Sequence, residues 1–427
     1  MLTTLLLIMV VLLLLGFPLK VPLLVAALAA FVFYFPDMDP MILVQQMIGG
    51  IKPAALIAVP MFILAADIMT RGATANRLLD LVMSFVGHVR GGLPITTAVS
   101  CTLFGAVSGS TQATVVAMGG PLRPRLLKAG YKDSFSLALI INSSDIALLI
   151  PPSIGMIVYG VVSGTSIGEL FIAGIGPGLL ILALFSLYCY LASRYWNIPT
   201  QPRSSWRARR VSVRKALLPL GFPVIIVGGI YTGLFSPTEA AVVSVLYALV
   251  LEMLVFRVLT LRDIPELARS TGMITAVVFI LVAAGAAFSW VISFAQLPSQ
   301  LIHDVLKLDP AEPIRVLVTI AAVFFVGCMF VDPIVVILVL APIFAPIIDA
   351  AGIDPVLAGT LVTLQVAIGS ATPPFGCDIF TAIAVFRQPY LRVISGSPPF
   401  IAMLLLATAL LIFFPQIALF LRDLAFR

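Results

Sequence analysis

Residues 141–155 read INSSDIALLIPPSIG. The flanks are those of an apolar spanning helix. The middle carries Asn142, Ser143, Ser144 and Asp145, followed by two adjacent prolines, Pro151 and Pro152. Proline lacks the backbone N–H and clashes with the preceding turn, so a Pro-Pro step breaks a helix. An aspartate at membrane depth is costly unless it is paired or faces a polar cavity. A span that holds both reads as a discontinuous helix.

The surrounding composition makes the membrane reading firm. The chain has 427 residues, 61% of them hydrophobic and 10% charged, against about 25% charged in ordinary soluble domains. A spanning helix needs roughly 20 apolar residues, and the apolar stretches here suffice for about ten to twelve spans or half-spans. The expected class is an all-α polytopic membrane protein, one integrated domain over 1–427. The strict alternation of an outer-membrane barrel is absent. The opening MLTTLLLIMVVLLLLGFPLK lacks the basic start and small-residue cleavage site of a signal peptide. It is read as a retained first helix, with a second short helix from about Val21 to Phe35.

The net charge is +6, and its placement matters more than its size. Residues 194–215 contain Arg194, Arg203, Arg207, Arg209, Arg210, Arg214 and Lys215 and no acid. A short basic connection between spans follows the positive-inside rule and marks a cytoplasmic loop; a nucleic-acid patch is the lesser alternative. Cys101, Cys189, Cys328 and Cys377 sit in apolar surroundings without metal-ligand spacing, so neither a disulfide nor a metal centre is expected. His88 and His303 are lone histidines and take no role.

The breakers repeat. At an offset of 222 positions Ser110 falls on Asp332, Gly130 on Gly352, Pro151 on Pro373, Pro152 on Pro374, Gly174 on Gly396 and Pro177 on Pro399. The segments pair accordingly: AVSGSTQAT with FVGCMFVDPIV, KAGY with AAGI, LLIPPSIG with SATPPFGC, and FIAGIGPG with VISGSPPF. Each half, about 52–195 and 272–421, holds an apolar run with a tip, a glycine turn, a run broken by Pro-Pro, and a further span. The arms beside each tip are about ten to seventeen residues long, which suits re-entrant hairpins better than full crossings.

This layout has a physical logic. Irregular backbone at membrane depth survives only inside protein or along a wet cavity. Transporters place paired broken helices near the midplane, where freed carbonyls meet cations and half-helix N-termini attract anions. Proline suits the first turn of a helix, so both Pro-Pro steps read as the starts of second half-helices. Ser110, Thr111 and Thr372 bring hydroxyls to the breaks. A pair of plain proline kinks is the simpler alternative.

Other polar positions divide. Asp332, at the second tip, is a candidate cation ligand. Asp145 either faces the cavity or pairs elsewhere. Asp67 lies four residues before Arg71, where a helical ion pair suffices. Asp378 could cap a helix or line the site. Ser236, Pro237, Thr238 and Glu239 form a capping box with proline in the first turn. No metalloprotease, nucleotide or dinucleotide motif occurs, so uphill transport would draw on an ion gradient.

Across nearly its whole length the chain resembles the large membrane subunit of tripartite ATP-independent periplasmic (TRAP) transporters. The carriers are AVPMFILAADIM (58–69), GHVRGGL (87–93), FGAVSGSTQATVVAMG (104–119), KAGY (128–131), LLIPPSIGMIVYG (148–160), FIAGIGPG (171–178), GIYTGLFSPTEAA (229–241), MFVDP (329–333) and GSATPPFG (369–376). The resemblance implies an elevator-type, sodium-coupled importer of the bacterial inner membrane, with inverted repeats. It also implies two partners, a small four-helix membrane subunit and a periplasmic substrate-binding protein. The implied substrate is a small organic acid, and no cofactor is expected beyond the coupling ion.

Carried over by motif, Ser108, Gly109, Ser110, Ile150 and Pro151 would hold one sodium ion, and Asp332, Gly369 and Thr372 would surround a second. Thr111, Asn142, Asp145, Ser153 and Pro373 would be near the substrate. Two features depart from the family pattern: Thr111 and Gln112 are bulkier than usual after the tip, and the 142–145 run is more polar. No arginine lies inside a break to serve as a counter-ion. A single-subunit sodium/carboxylate symporter and an intramembrane aspartate enzyme are the competing readings.

Overall fold

The computed structural model describes residues 1–18, 20–302 and 306–426; His303 lies outside the described residues. All regular structure among them is helical. Seven of these helices are long and apolar enough to cross a membrane, or eight if one bent pair counts as a span.

Three amino-terminal helices, α1 (Leu2–Leu14), α2 (Lys20–Tyr34) and α3 (Met41–Ile51), precede α4 (Ala58–Arg71) and α5 (Thr74–Val86). The first hairpin is α6 (Gly92–Ser108) and α7 (Thr111–Lys128), and the first broken element is α8 (Asp133–Asp145) and α9 (Ile154–Ser163). A long helix α10 (Ile167–Tyr195) leads to α11 (Trp206–Tyr231), α12 (Pro237–Leu249) and α13 (Ile264–Phe294). A short turn α14 (Leu297–Gln300) follows. The second hairpin is α15 (Pro313–Phe330) and α16 (Pro333–Ala350), and the second broken element is α17 (Pro355–Ser370) and α18 (Cys377–Phe386). The chain then runs through α19 (Tyr390–Ile394), α20 (Pro398–Phe413) and α21 (Gln416–Ala425).

Helix bounds follow the offset seen in the breakers. Shifted by 222 positions, α7 lands on the bounds of α16, and α8 and α9 start within one residue of α17 and α18. Packing is exchanged between the halves in the way a two-fold relation requires. α7 packs on α18 while α16 packs on α9, and α10 packs on α17 while α20 packs on α8. The buried core centres on these elements. In α8 every residue from Phe135 to Asp145 is buried, as in a helix enclosed on all sides. Around this centre, α13 runs against α2, α3, α4 and α16.

The broken elements differ from expectation in one respect. The second half-helices begin at Ile154 and Cys377, not at the prolines. Each Pro-Pro step has a cis bond and lies in the non-helical break. Ser153 is the residue that caps α9, its hydroxyl accepting from the Met156 N–H at 3.3 Å.

The basic segment 194–215 is also not simply a loop. Ser205 caps α11, accepting from the Ala208 N–H at 3.2 Å, so Arg207, Arg209, Arg210, Arg214 and Lys215 form its first turns. Arg209 is buried: its Nε donates to the Ser84 carbonyl at 3.1 Å and its guanidinium lies near the Phe85 and Trp206 rings. The long stem and flat head of arginine allow this packing. Elsewhere the local readings hold. Asp67 pairs with Arg71 at 3.2 Å, and Ser236 and Glu239 make a reciprocal capping box on α12.

Candidate functional site

The two hairpin tips meet at one cavity. The first tip is a glycine turn: Ser108 ends α6, Gly109 takes φ +60°, and Ser110 caps α7 through the Ala113 N–H. A side chain at Gly109 would run into the Pro152 carbonyl oxygen, so this position needs glycine both for its φ and for its close approach. That approach ties the tip to its own break, with the Ile154 N–H donating to the Gly109 carbonyl at 3.4 Å. The second half repeats the tie, the Phe375 N–H donating to the Met329 carbonyl at 3.1 Å.

The second tip is polar in a different way. Asp332 caps α16, its carboxylate accepting from the Ile334 N–H at 2.9 Å, and Pro333 occupies the first turn. Gly369 lies where α17 crosses α15; a Cβ there would sit 2.6 Å from the Cys328 Cβ and 2.8 Å from the Phe325 carbonyl oxygen. Glycine lets the two backbones come together beside the second break.

A cavity of about 420 Å³ opens between the tips. Gly109, Ser110, Thr111 and Gln112 line it from the first tip, Asp332, Pro333 and Ile334 from the second. Ile154 and Gly155 add the start of α9, and Ser270, Met273, Ile274 and Val277 of α13 close the far wall. The N-termini of α7, α9 and α16 therefore converge on it, each a partial positive charge, with the Asp332 carboxylate among them. Such a site presents amide donors and hydroxyls to an anionic group and one carboxylate to a cationic group.

The residues singled out from the sequence are distributed unevenly. Gly109, Ser110, Thr111 and Asp332 line the cavity. Ser153 lies just behind the wall as the cap of α9. Ser108 is buried, with its hydroxyl 2.9 Å from that of Thr114. Thr372 turns its hydroxyl back to the Ile368 carbonyl at 2.6 Å. Ile150, Pro151, Gly369 and Pro373 belong to the breaks and their packing, outside the cavity lining. Asn142 and Asp145 are fully enclosed in α8 and do not reach the lining.

Asp145 is instead brought beside Asp378, within hydrogen-bonding reach, by the packing of α8 on α18. Asp378 accepts from the Thr111 hydroxyl at 2.8 Å and the Ser370 hydroxyl at 2.7 Å. The α13 wall escaped the sequence reading because Ser270 lies in an ordinary apolar helix with no breaker near it. Asp378 was underweighted, although one signal was available: at the offset of 222 it faces Met156, so the acid breaks the repeat.

An all-helical membrane fold with paired broken helices, tip-to-tip around a central cavity, defines a secondary transporter rather than an enzyme. The chain belongs to the family described as "Tripartite ATP-independent periplasmic transporter, DctM component", which matches residues 6–417. It is 68% identical to the "Ectoine TRAP transporter large permease protein TeaC" of Halomonas elongata over 98% of each chain. It is 67% identical to the "Ectoine/5-hydroxyectoine TRAP transporter large permease protein UehC" of Ruegeria pomeroyi over 99% of each. Among solved structures it is similar to the YdaH transporter of Alcanivorax borkumensis, with a TM-score of 0.62 at 16% identity, covering 87% of this chain and 86% of that one; this likeness speaks to the fold. The chain is thus a large permease subunit of a tripartite system, and the intramembrane-enzyme reading is set aside.

Proposed function

We propose that this subunit imports ectoine-type solutes across the bacterial inner membrane, coupled to sodium, by an elevator movement of inverted repeats. A periplasmic binding protein delivers the solute, and a small four-helix subunit partners the permease. The basic end of α11 lies on the cytoplasmic side. The observation that carries the substrate class is the mixed polarity of the tip cavity. Ectoine is a compact zwitterion, a carboxylate beside a cyclic amidinium. The half-helix N-termini suit its carboxylate, and Asp332 suits its cation. A simple dicarboxylate would bring a second negative charge against Asp332, at a cost. This narrows the organic-acid expectation to a carboxylate that carries its own positive charge. The two close relatives named for ectoine support the same narrowing.

For sodium, the supporting feature is the pair of tip-to-break ties, which hold backbone carbonyls of Gly109 and Met329 beside irregular backbone. Carbonyl oxygens at such breaks are ligands for a hard cation. The first site is assigned to the Ser108–Ser110 tip with the Ile150–Pro151 backbone. The second is assigned to Asp332, Gly369 and Thr372.

The test is uptake into proteoliposomes holding both membrane subunits, with the binding protein outside. Labelled ectoine should enter only with an inward sodium gradient, and excess succinate should not compete. Succinate competition at equal concentration would overturn the substrate assignment. Sodium-independent uptake would overturn the coupling.

A further inference from the structure

We propose a cation site, separate from the tip sites, between Asp145 of α8 and Asp378 of α18, with the Asn142 side-chain oxygen as third ligand. Both carboxylates are fully enclosed, and they come from different halves of the chain. Asp378 takes hydroxyl donors from Thr111 and Ser370. Neither oxygen of Asp145 has a donor among the described residues. Two enclosed carboxylates side by side cannot both remain ionised without a positive charge between them.

A second observation points to a cation as that charge. Asn142 is also fully enclosed and lies one helical turn before Asp145, on the same face of α8. Its amide nitrogen is committed to the Ala138 carbonyl at 2.8 Å, leaving the side-chain oxygen outward and without a partner among the described residues. The exposed atoms at this place are thus acceptors: two carboxylates and an amide oxygen. An array of hard oxygens with net negative charge suits a small hard cation. Only two acids contribute, the remaining donors being neutral, which favours a monovalent ion.

The position gives the site a role. Thr111 lines the tip cavity and donates to Asp378, so one hydroxyl joins the substrate wall to the ion. Neither acid has a counterpart in the repeat: Asp145 faces Ala367 and Asp378 faces Met156 at the offset of 222. The site is therefore built at the junction of the halves and is not one of a symmetric pair. The inference does not depend on the tip sites.

The test is thermal unfolding of the purified full chain in choline buffer at pH 7.5, titrated with sodium chloride. The native chain should gain stability with sodium and not with potassium. Asp145→Asn and Asp378→Asn should each raise the sodium midpoint at least tenfold, and Asn142→Ala severalfold. Ser110→Ala should leave the Asp145-dependent component in place. If all three variants keep the native midpoint, the site does not exist; Asn142→Ala, which leaves both acids in position, decides the matter should an acid variant not fold. If the native chain answers to acidification but not to sodium, the pair shares a proton and the proposal fails. If calcium at millimolar concentration stabilises and sodium does not, the monovalent assignment fails. Loss of sodium dependence in Ser110→Ala uptake with an intact Asp145 response, or the reverse, separates this site from the tip reading.

Discussion

At Gly109 two requirements meet in one residue. Its φ of +60° is a conformation that side chains oppose, and a Cβ would strike the Pro152 carbonyl oxygen. Gly109→Ala should therefore push the first tip off its break and cut ectoine uptake by more than tenfold. Binding of the periplasmic protein to the permease, measured separately, should change little. The neighbouring Ser110 is both cap of α7 and cavity wall. Ser110→Ala loses a cap worth about 1 kcal/mol and, in the reading advanced above, a ligand near the first ion. The expected result is a sodium activation curve shifted to higher concentration at unchanged maximal rate; an unshifted curve removes Ser110 from the ion site. Most of this was legible in advance, since a Ser-Gly-Ser tip in apolar sequence has few other uses. The partner of the tip was not, because only the folded chain puts Pro152 against Gly109.

At the scale of elements, caps and ion pairs hold the helix ends. Ser236 and Glu239 satisfy each other's backbone donors at the start of α12, and Ser236→Ala should cost about 1 kcal/mol, read as a lower unfolding temperature with transport retained. At the turn before α17, Asp354 caps the helix and pairs with Arg422 of α21 at 2.7 Å. Burial opposes ionisation of Asp354, but the Arg422 guanidinium and the Val356 and Leu357 amides outweigh it and hold the carboxyl below its usual range. A depressed carboxyl contributes stability above its unfolded value, and that contribution is lost as the pH falls through the folded value. Arg422→Met should thus destabilise by about 2 kcal/mol at pH 7, the pair being only partly exposed. The difference from the native chain should narrow below about pH 4, which unfolding scans at both pH values would show. The capping box could be read from four consecutive residues. The Arg422 contact joins positions 68 residues apart and has no local signature.

For the whole molecule the decisive relation is the exchange of contacts between halves, α7 on α18 and α16 on α9. It sets both tips on one cavity, so substrate and ions share walls and move together. Omitting the binding protein from proteoliposomes should reduce ectoine uptake to background, whereas a single-subunit symporter would continue to take up free solute. The same exchange explains why Asn142 and Asp145, placed near the substrate by family likeness, sit behind the wall. α8 is enclosed by α6, α7 and α20 and has no face left for the cavity.

The chain order alone determined the class of the molecule, because broken apolar helices have few stable solutions in a membrane and because the breakers repeat at one offset. It also determined the tips, since glycine, serine and proline act on the backbone within a few residues of themselves. Only the tertiary structure decided which half-helix starts where, that α13 supplies the far wall, and that Asp145 meets Asp378. Those outcomes depend on long-range packing of enclosed helices, where every face is apolar and periodicity carries no direction.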